Sequence, residues 1–198
     1  MTASDTYRTF IAIEIPSGLR QIIANYINDL RERFPKVSAS WARPDTLHLT
    51  LKFLSNVPVK RISALSRAVE RATQKSHRFE IQISGCGVFP AHRRPSVLWL
   101  GTQDRDGLFY ELHKTLEYEC FKADFPREPR PFHPHLTIAR LKKPEGTREL
   151  GAAHQSLGFA AQEFTVQELI VFRSELGRDG AKHTVISRHR LRQSESTS

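Results

Sequence analysis

"DTLHLTLKFL", Asp45–Leu54, is the stretch on which the fold is read. From Leu47 onward apolar and polar residues alternate, the period of a half-buried strand. Leu47, Leu49, Leu51 and Phe53 fall on one face, and His48, Thr50 and Lys52 on the other. The tripeptide His-Leu-Thr returns in "FHPHLTIARL", Phe132–Leu141. There Leu136 and Ile138 face one way, and His135 and Thr137 the other. A single histidine on a strand is usually a surface or hydrogen-bonded residue. Two of them, each with a threonine two residues on and hence on the same face, suggest two halves of one site.

Working outward, "TFIAIEI", Thr9–Ile15, is apolar and β-branched and reads as a strand. Pro16 and Ser17 open a helix with Leu19, Ile22, Ile23, Ile27, Leu30 and Phe34 at helical spacing. "ASWARPD" reads as a turn-rich link carrying Trp41. After Pro58 a second helix places Ile62, Leu65, Val69 and Ala72 on one side. "RFEIQISG" alternates again, and "GCGVFPAHRRP", Gly85–Pro95, is the candidate crossing between two lobes. "SVLWLG" is an apolar strand, and "GLFYELHKTLEYECF" a helix with a Leu108–Leu112–Leu116 stripe. "FTVQELIVFRS" and "AKHTVISRHRL" close the chain as strands separated by the turn "ELGRDG". Helices interspersed with strands favour an α+β layered fold. Residues 1–192 read as a single domain of two interleaved lobes, with 193–198 expected to be a disordered tail.

The 198-residue chain is 39% hydrophobic, enough to form a core. Its 30 Lys+Arg against 21 Asp+Glu give a formal net charge of +9, which points toward a polyanionic partner such as nucleic acid. Cys86 and Cys120 lack zinc-ligand spacing, and a cytoplasmic location is expected. The short apolar run near the N-terminus has no basic region before it and ends at once in charge and proline. Neither a signal peptide nor a membrane span is expected.

Side chains two apart on a strand stand about 6–7 Å apart at the backbone, so each imidazole and its hydroxyl can meet one ligand. Imidazole titrates near neutrality, at about 6.5. One can take a proton from water while the other gives one to a leaving alkoxide, each transfer being worth about 10²–10⁴-fold. Threonine hydroxyls can donate to phosphoryl oxygens. The combination suits phosphodiester chemistry. No thiol or hydroxyl nucleophile with a carboxylate-backed base is evident, and Asp45 is too close to His48 in sequence to take that role. His133 shares the parity of His135, so His48, His133 and His135 form a rival metal cluster. No carboxylate or cysteine accompanies them in either strand, and neither a metal nor another cofactor is expected.

With these residues in place, the chain resembles the 2H phosphoesterase family, named for two His-x-Thr motifs, and within it the RNA 2',3'-cyclic phosphodiesterase (2'-5' RNA ligase) branch. "RTFIAIEIP", "WARPDTLHLTLKFLSNV", "GVFPAHRRPSVLWLG", "PFHPHLTIARL" and "LIVFRSELGRDGAKHTVI" carry the resemblance across nearly the whole chain. It implies two pseudo-symmetric lobes of mostly antiparallel sheet with outer helices around a central groove. It also implies metal-independent opening of RNA 2',3'-cyclic phosphate ends to 2'-phosphomonoesters. The alternatives it leaves open are 2'-5' RNA end ligation and action on small cyclic nucleotides. By resemblance His135 is the general base on water and His48 the general acid, with Thr50 and Thr137 holding non-bridging oxygens. The implied partners are cyclic-ended RNA or small cyclic nucleotides, without a membrane, met by a monomer.

Two positions depart from the family pattern. His133 stands where arginine or lysine is common, and Asn56 where a glycine commonly ends the first motif strand. Arg140, Phe132 and His133 are the candidate substrate-binding residues. Strict alternation places Arg140 on the Leu136 face, away from His135, unless it turns to the groove rim. Phe132 can either stack on a base or pack in the core. Phe10 and Trp41 are expected to pack, His92–Pro95 to form a charged loop, and Ile186–Leu191 offers a candidate basic wall.

Overall fold

The apolar run near the N-terminus becomes β1, Thr6–Glu14, buried on both faces from Thr9 to Ile13. The computed structural model describes residues 5–91, 94–177 and 180–193. β1 pairs with β3 (His48–Pro58) on one side and β8 (Glu168–Gly177) on the other, and β9 (Gly180–Arg190) pairs with β8. This sheet has the order β3-β1-β8-β9. A second sheet has the order β2-β6-β5-β4-β7. Its strands are β2 (Ala39–Trp41), β4 (Phe79–Phe89), β5 (Val97–Gln103), β6 (His135–Leu141) and β7 (Gln162–Val166). Every pairing between these named strands is antiparallel. β3 of one sheet approaches β6 of the other, so the two His-Leu-Thr strands lie where the sheets meet.

Among the described residues, the helices α1 (Ser17–Arg33), α2 (Ile62–Thr73), α3 (Leu108–Lys122) and α4 (Thr147–Leu157) share one continuous core with both sheets. Ile11, Leu49, Leu98, Leu100 and Leu136 point into it and are fully buried. Each such side chain contributes about 1.5–3 kcal/mol. The opposite face of the first sheet carries a separate small cluster of Phe10, Ala12, Ile170 and Phe172.

Several sequence expectations shift. Ile22 lies on the solvent side of α1, at 44% exposure, and Leu108 begins α3 outside the core, so the buried stripe starts at Phe109. "FTVQELIVFRS" is two strands, because the chain leaves one sheet at Gln167 and enters the other. Gly85–Phe89 is no crossing between lobes but the second half of β4. Gly85, at φ 74°, supplies the extra residue of a bulge there, and β4 pairs with β5 in the same sheet. The chain instead passes from the first sheet to the second through α1, between β1 and β2, and again through α2, between β3 and β4. β2 and α4 arise where the sequence showed only links. His92 and Arg93 of the expected charged loop, and 194–198 of the expected tail, lie outside the described residues.

The departure that matters most for the site is a bulge in each motif strand. In β3 the register passes from Ala12↔Thr50 to Ile11↔Lys52, so Leu51 is extra. In β6 it passes from Trp99↔Thr137 to Leu98↔Ala139, so Ile138 is extra. A bulge places two consecutive residues on one side and reverses the alternation beyond it. Lys52 is therefore buried on the core side, while Phe53 is exposed at 43% beside Arg8. Ala139 is buried and Arg140 emerges on the His135–Thr137 face.

Candidate active site

His48 and His135 are held by the same device. His48 Nδ1 lies 2.7 Å from the Thr46 carbonyl, and His135 Nδ1 lies 2.7 Å from the His133 carbonyl. A carbonyl only accepts, so in each neutral ring Nδ1 carries the proton and Nε2 is left as the acceptor nitrogen. Thr46 is fixed by the short 3-10 turn Pro44–Thr46, where its hydroxyl donates to the Arg43 carbonyl at 2.9 Å. Pro134, with φ restricted by its ring, precedes His135. Thr50 and Thr137 follow two residues on, both partly buried and ahead of the bulges, and so share the faces of their histidines.

The two histidines sit on different aromatic floors. The His48 ring lies 4.8 Å from Phe10 and 6.3 Å from Phe172. It also meets His183 of β9 edge to face at 5.2 Å. The His135 ring meets Phe89 at 5.2 Å and Trp99 at 6.3 Å. A Cβ at Gly87 would overlap the Trp99 indole, so the missing side chain is what lets that ring lie over β4. Burial pushes the His48 imidazole down to about 4; the Thr46 hydrogen bond opposes this, and His183 and Arg140 add to it. Burial therefore favours the neutral His48 imidazole at pH 7.

Arg140 joins the site through the β6 bulge. It stands opposite Val97 and Ser40, is exposed, and its charge reaches His48 across the sheet junction. Strict alternation had placed it on the far face. His133 turns its side chain to solvent and serves His135 through its backbone carbonyl. Phe132 lies stacked on His113, at 3.8 Å and 5°, and meets Phe109 and Tyr110 edge-on. That packing belongs to α3 and does not support base stacking. Among the described residues, no group of three His, Cys, Asp or Glu clusters as metal ligands would.

In the region of Ile186–Leu191, a bulge at Ile186 brings Arg188 and Arg190 to the face of His183. Arg188 is engaged by Glu14 at 2.9 Å and Glu168 at 2.5 Å, which neutralises much of the expected basic wall. Past Glu14 a cavity of about 440 Å³ opens, bordered by Arg20, Arg78 and Arg190. Trp41 packs against the core from β2, and Phe10 forms the floor under His48 rather than joining the main core. Sequence reading missed His183, Phe172, Phe89 and Trp99 as parts of the site. Their only signal was strand parity, and in β4 and β9 that parity is broken by bulges.

Residues 20–178 match the model of the 2'-5' RNA ligase superfamily. An RNA 2',3'-cyclic phosphodiesterase of Methanothermobacter thermautotrophicus is 31% identical over 93% of this chain and 98% of its own length. One of Geobacillus stearothermophilus is 29% identical over 89% of the chain, which spans 55% of that relative. Among solved structures, E. coli LigT complexed with 3'-AMP superposes with a TM-score of 0.73 at 25% identity, covering 96% of this chain and 100% of that one. No helix among the described residues is long and apolar enough to cross a membrane.

Proposed function

The chain belongs to the 2'-5' RNA ligase superfamily, and from that premise we propose that it hydrolyses RNA 2',3'-cyclic phosphate ends to 2'-phosphomonoesters. The observation that carries the reading is the matched pair of histidines. Each is tied through Nδ1 to the carbonyl two residues earlier and has a threonine beside it, on strands that meet.

In the proposed reaction His135 Nε2 takes a proton from water as the water oxygen bonds to phosphorus. The P–O3' bond breaks, and the 3'-oxygen takes a proton from His48 Nε2, leaving the phosphate on the 2'-oxygen. Thr50 and Thr137 donate to non-bridging oxygens, and Arg140 offsets their charge. No step in this scheme calls for a metal. The chain is proposed to act as a monomer in the cytoplasm. With the 5'-hydroxyl of a second RNA end in place of water, the same groups would form a 2'-5' linkage as the P–O3' bond breaks and the 3'-oxygen takes up a proton; water in excess favours hydrolysis.

The test is to incubate oligoribonucleotides ending in a 2',3'-cyclic phosphate with the protein and identify the product isomer. A 2'-phosphomonoester is expected. His48→Ala and His135→Ala are each expected to lose at least about 10²-fold in kcat while remaining folded. A 3'-phosphate product, or near-normal turnover in either variant, would overturn the proposal.

A further inference from the structure

His183 lies next to His48 on the groove face of β9. Its ring meets His48 at 5.2 Å and 88°, and Phe10 at 4.9 Å and 78°. The β8–β9 register sets it opposite Ser174, beyond the Phe172↔Val185 pair, so the Phe10–Phe172 floor runs beneath both imidazoles. Its two nitrogens have different surroundings. Nδ1 is sealed from solvent and has no hydrogen-bond partner, whereas Nε2 is not among the buried atoms lacking a partner.

That asymmetry selects a tautomer. A proton on Nδ1 would bury an unpaired N–H, at a cost of about 1–3 kcal/mol. The imidazolium carries that same N–H and would add a charge close to Arg43 and Arg8. Of the charged groups among the described residues that act on it, Asp45 alone is acidic, and Asp45 is 3.5 Å from Arg43. His183 is therefore neutral with its proton on Nε2, the opposite tautomer to that of His48. Its exposed edge is an N–H donor that no described protein group uses.

We propose that His183 is a third imidazole of the site, donating Nε2–H to a non-bridging oxygen of the phosphate ester bound at His48. This rests on the phosphodiesterase reading above and extends it. A neutral donor suits the place, because it grips the anion without adding positive charge beside the histidine that must itself become cationic.

Three substitutions separate contact from packing. The Gln amide reproduces the position of Nε2, the Asn amide that of Nδ1, and Phe keeps the ring without a donor. His183→Phe is expected to lower kcat/KM on 2',3'-cyclic AMP about 10–100-fold, the range for a hydrogen bond to a charged group. His183→Gln is expected to regain most of that loss, and His183→Asn little of it. Full activity in His183→Phe, or better rescue by Asn than by Gln, overturns the proposal. Calorimetric titration with inorganic phosphate reads the same contact without turnover. The order wild type, Gln, Phe in phosphate affinity is expected there. If the three proteins bound phosphate in that order yet the wild type opened no cyclic end, the functional reading would fail and the His183 contact would stand.

Discussion

Lys52→Met tests the bulge that separates the groove from the core. Lys52 is 3% exposed, and its ammonium donates to both Glu117 oxygens, at 2.7 and 2.9 Å, and to the Pro126 carbonyl at 2.8 Å. All three N–H donors are therefore used. Removing the cation leaves the Glu117 carboxylate, 13% exposed, with the Glu128 backbone N–H at 3.2 Å as its remaining short hydrogen bond. His113, 4.0 Å away, is no substitute, because burial favours its neutral form. Breaking one side of a buried pair costs about 3–5 kcal/mol. The partial exposure of Glu117 sets the expectation at the lower end, about 3 kcal/mol. For a chain of this size that is a fall of about 6–12 °C in thermal midpoint. Lys52→Met/Glu117→Met is expected to recover most of the loss, since an apolar pair of similar volume is often neutral. The assay is thermal unfolding at pH 7, paired with kcat/KM measured well below the transition. Strict alternation instead places the ammonium in the groove. An unchanged midpoint with a large, salt-dependent rise in KM would show Lys52 acting on the phosphate and refute the bulge argument.

Gly87→Ala forces the Trp99 indole off β4 and away from Phe89 and His135. A loss of about 1–3 kcal/mol in stability is expected, with a fall in kcat and a shift in tryptophan fluorescence; unchanged fluorescence and kcat would contradict it. Arg140→Gln is expected to raise KM and also to raise the titration midpoint of His48, because the Arg140 charge helps hold it down. Imidazole NMR titration reads that shift, and an unmoved or lowered midpoint would place Arg140 too far away to act. The fold is expected to weaken as pH falls from about 6.5 toward 4. His48, His113, His154, His183 and His189 are all depressed by burial, so below the ordinary value of about 6.5 the unfolded chain binds more protons than the folded one. Denaturant midpoints at pH 7.5 and 5 measure this, and His48→Gln should flatten the slope; equal midpoints would show these histidines to be solvated.

The sequence made the site visible because its signals are local. His-Leu-Thr alternation survives as far as Thr50 and Thr137, and Leu49 and Leu136 are fully buried as that alternation requires. Beyond those threonines strict alternation breaks down at Lys52, Phe53 and Arg140 for one reason: a bulge is written in the pairing register, which depends on the neighbouring strand. The same cause hid His183, since the extra residue at Ile186 puts it on one face with Arg188 and Arg190. Arg188 read as a basic wall because Glu14 and Glu168 are far from it in sequence, yet the fold brings both to its guanidinium. The Gln167 break was illegible for a related reason. "FTVQELIVFRS" has continuous strand propensity, and only the two-sheet topology requires the chain to change sheets within it.

Two nearly identical motifs must perform opposite proton transfers in the proposed reaction, so the difference has to come from their surroundings. His48 is buried over the aromatic floor of Phe10 and Phe172 and feels the charge of Arg140. Together these hold it at about 4 rather than 6.5, a cost to its cation of about 3 kcal/mol. A general acid that is neutral at pH 7 must gain its proton with the substrate. One phosphate charge about 4 Å away, at an effective dielectric of about 20, favours the cation by about 4 kcal/mol. The two magnitudes nearly cancel, so a bound phosphate returns His48 to a range where it can hold a proton at neutral pH. The acid is then charged when a phosphate is present to receive its hydrogen bond. The locked Nδ1–H bond to Thr46 makes Nε2 the nitrogen at which that proton must arrive and from which it must leave. Once the 3'-oxygen has taken the proton, the neutral ring leaves the phosphate site one positive charge poorer, which limits the hold on product.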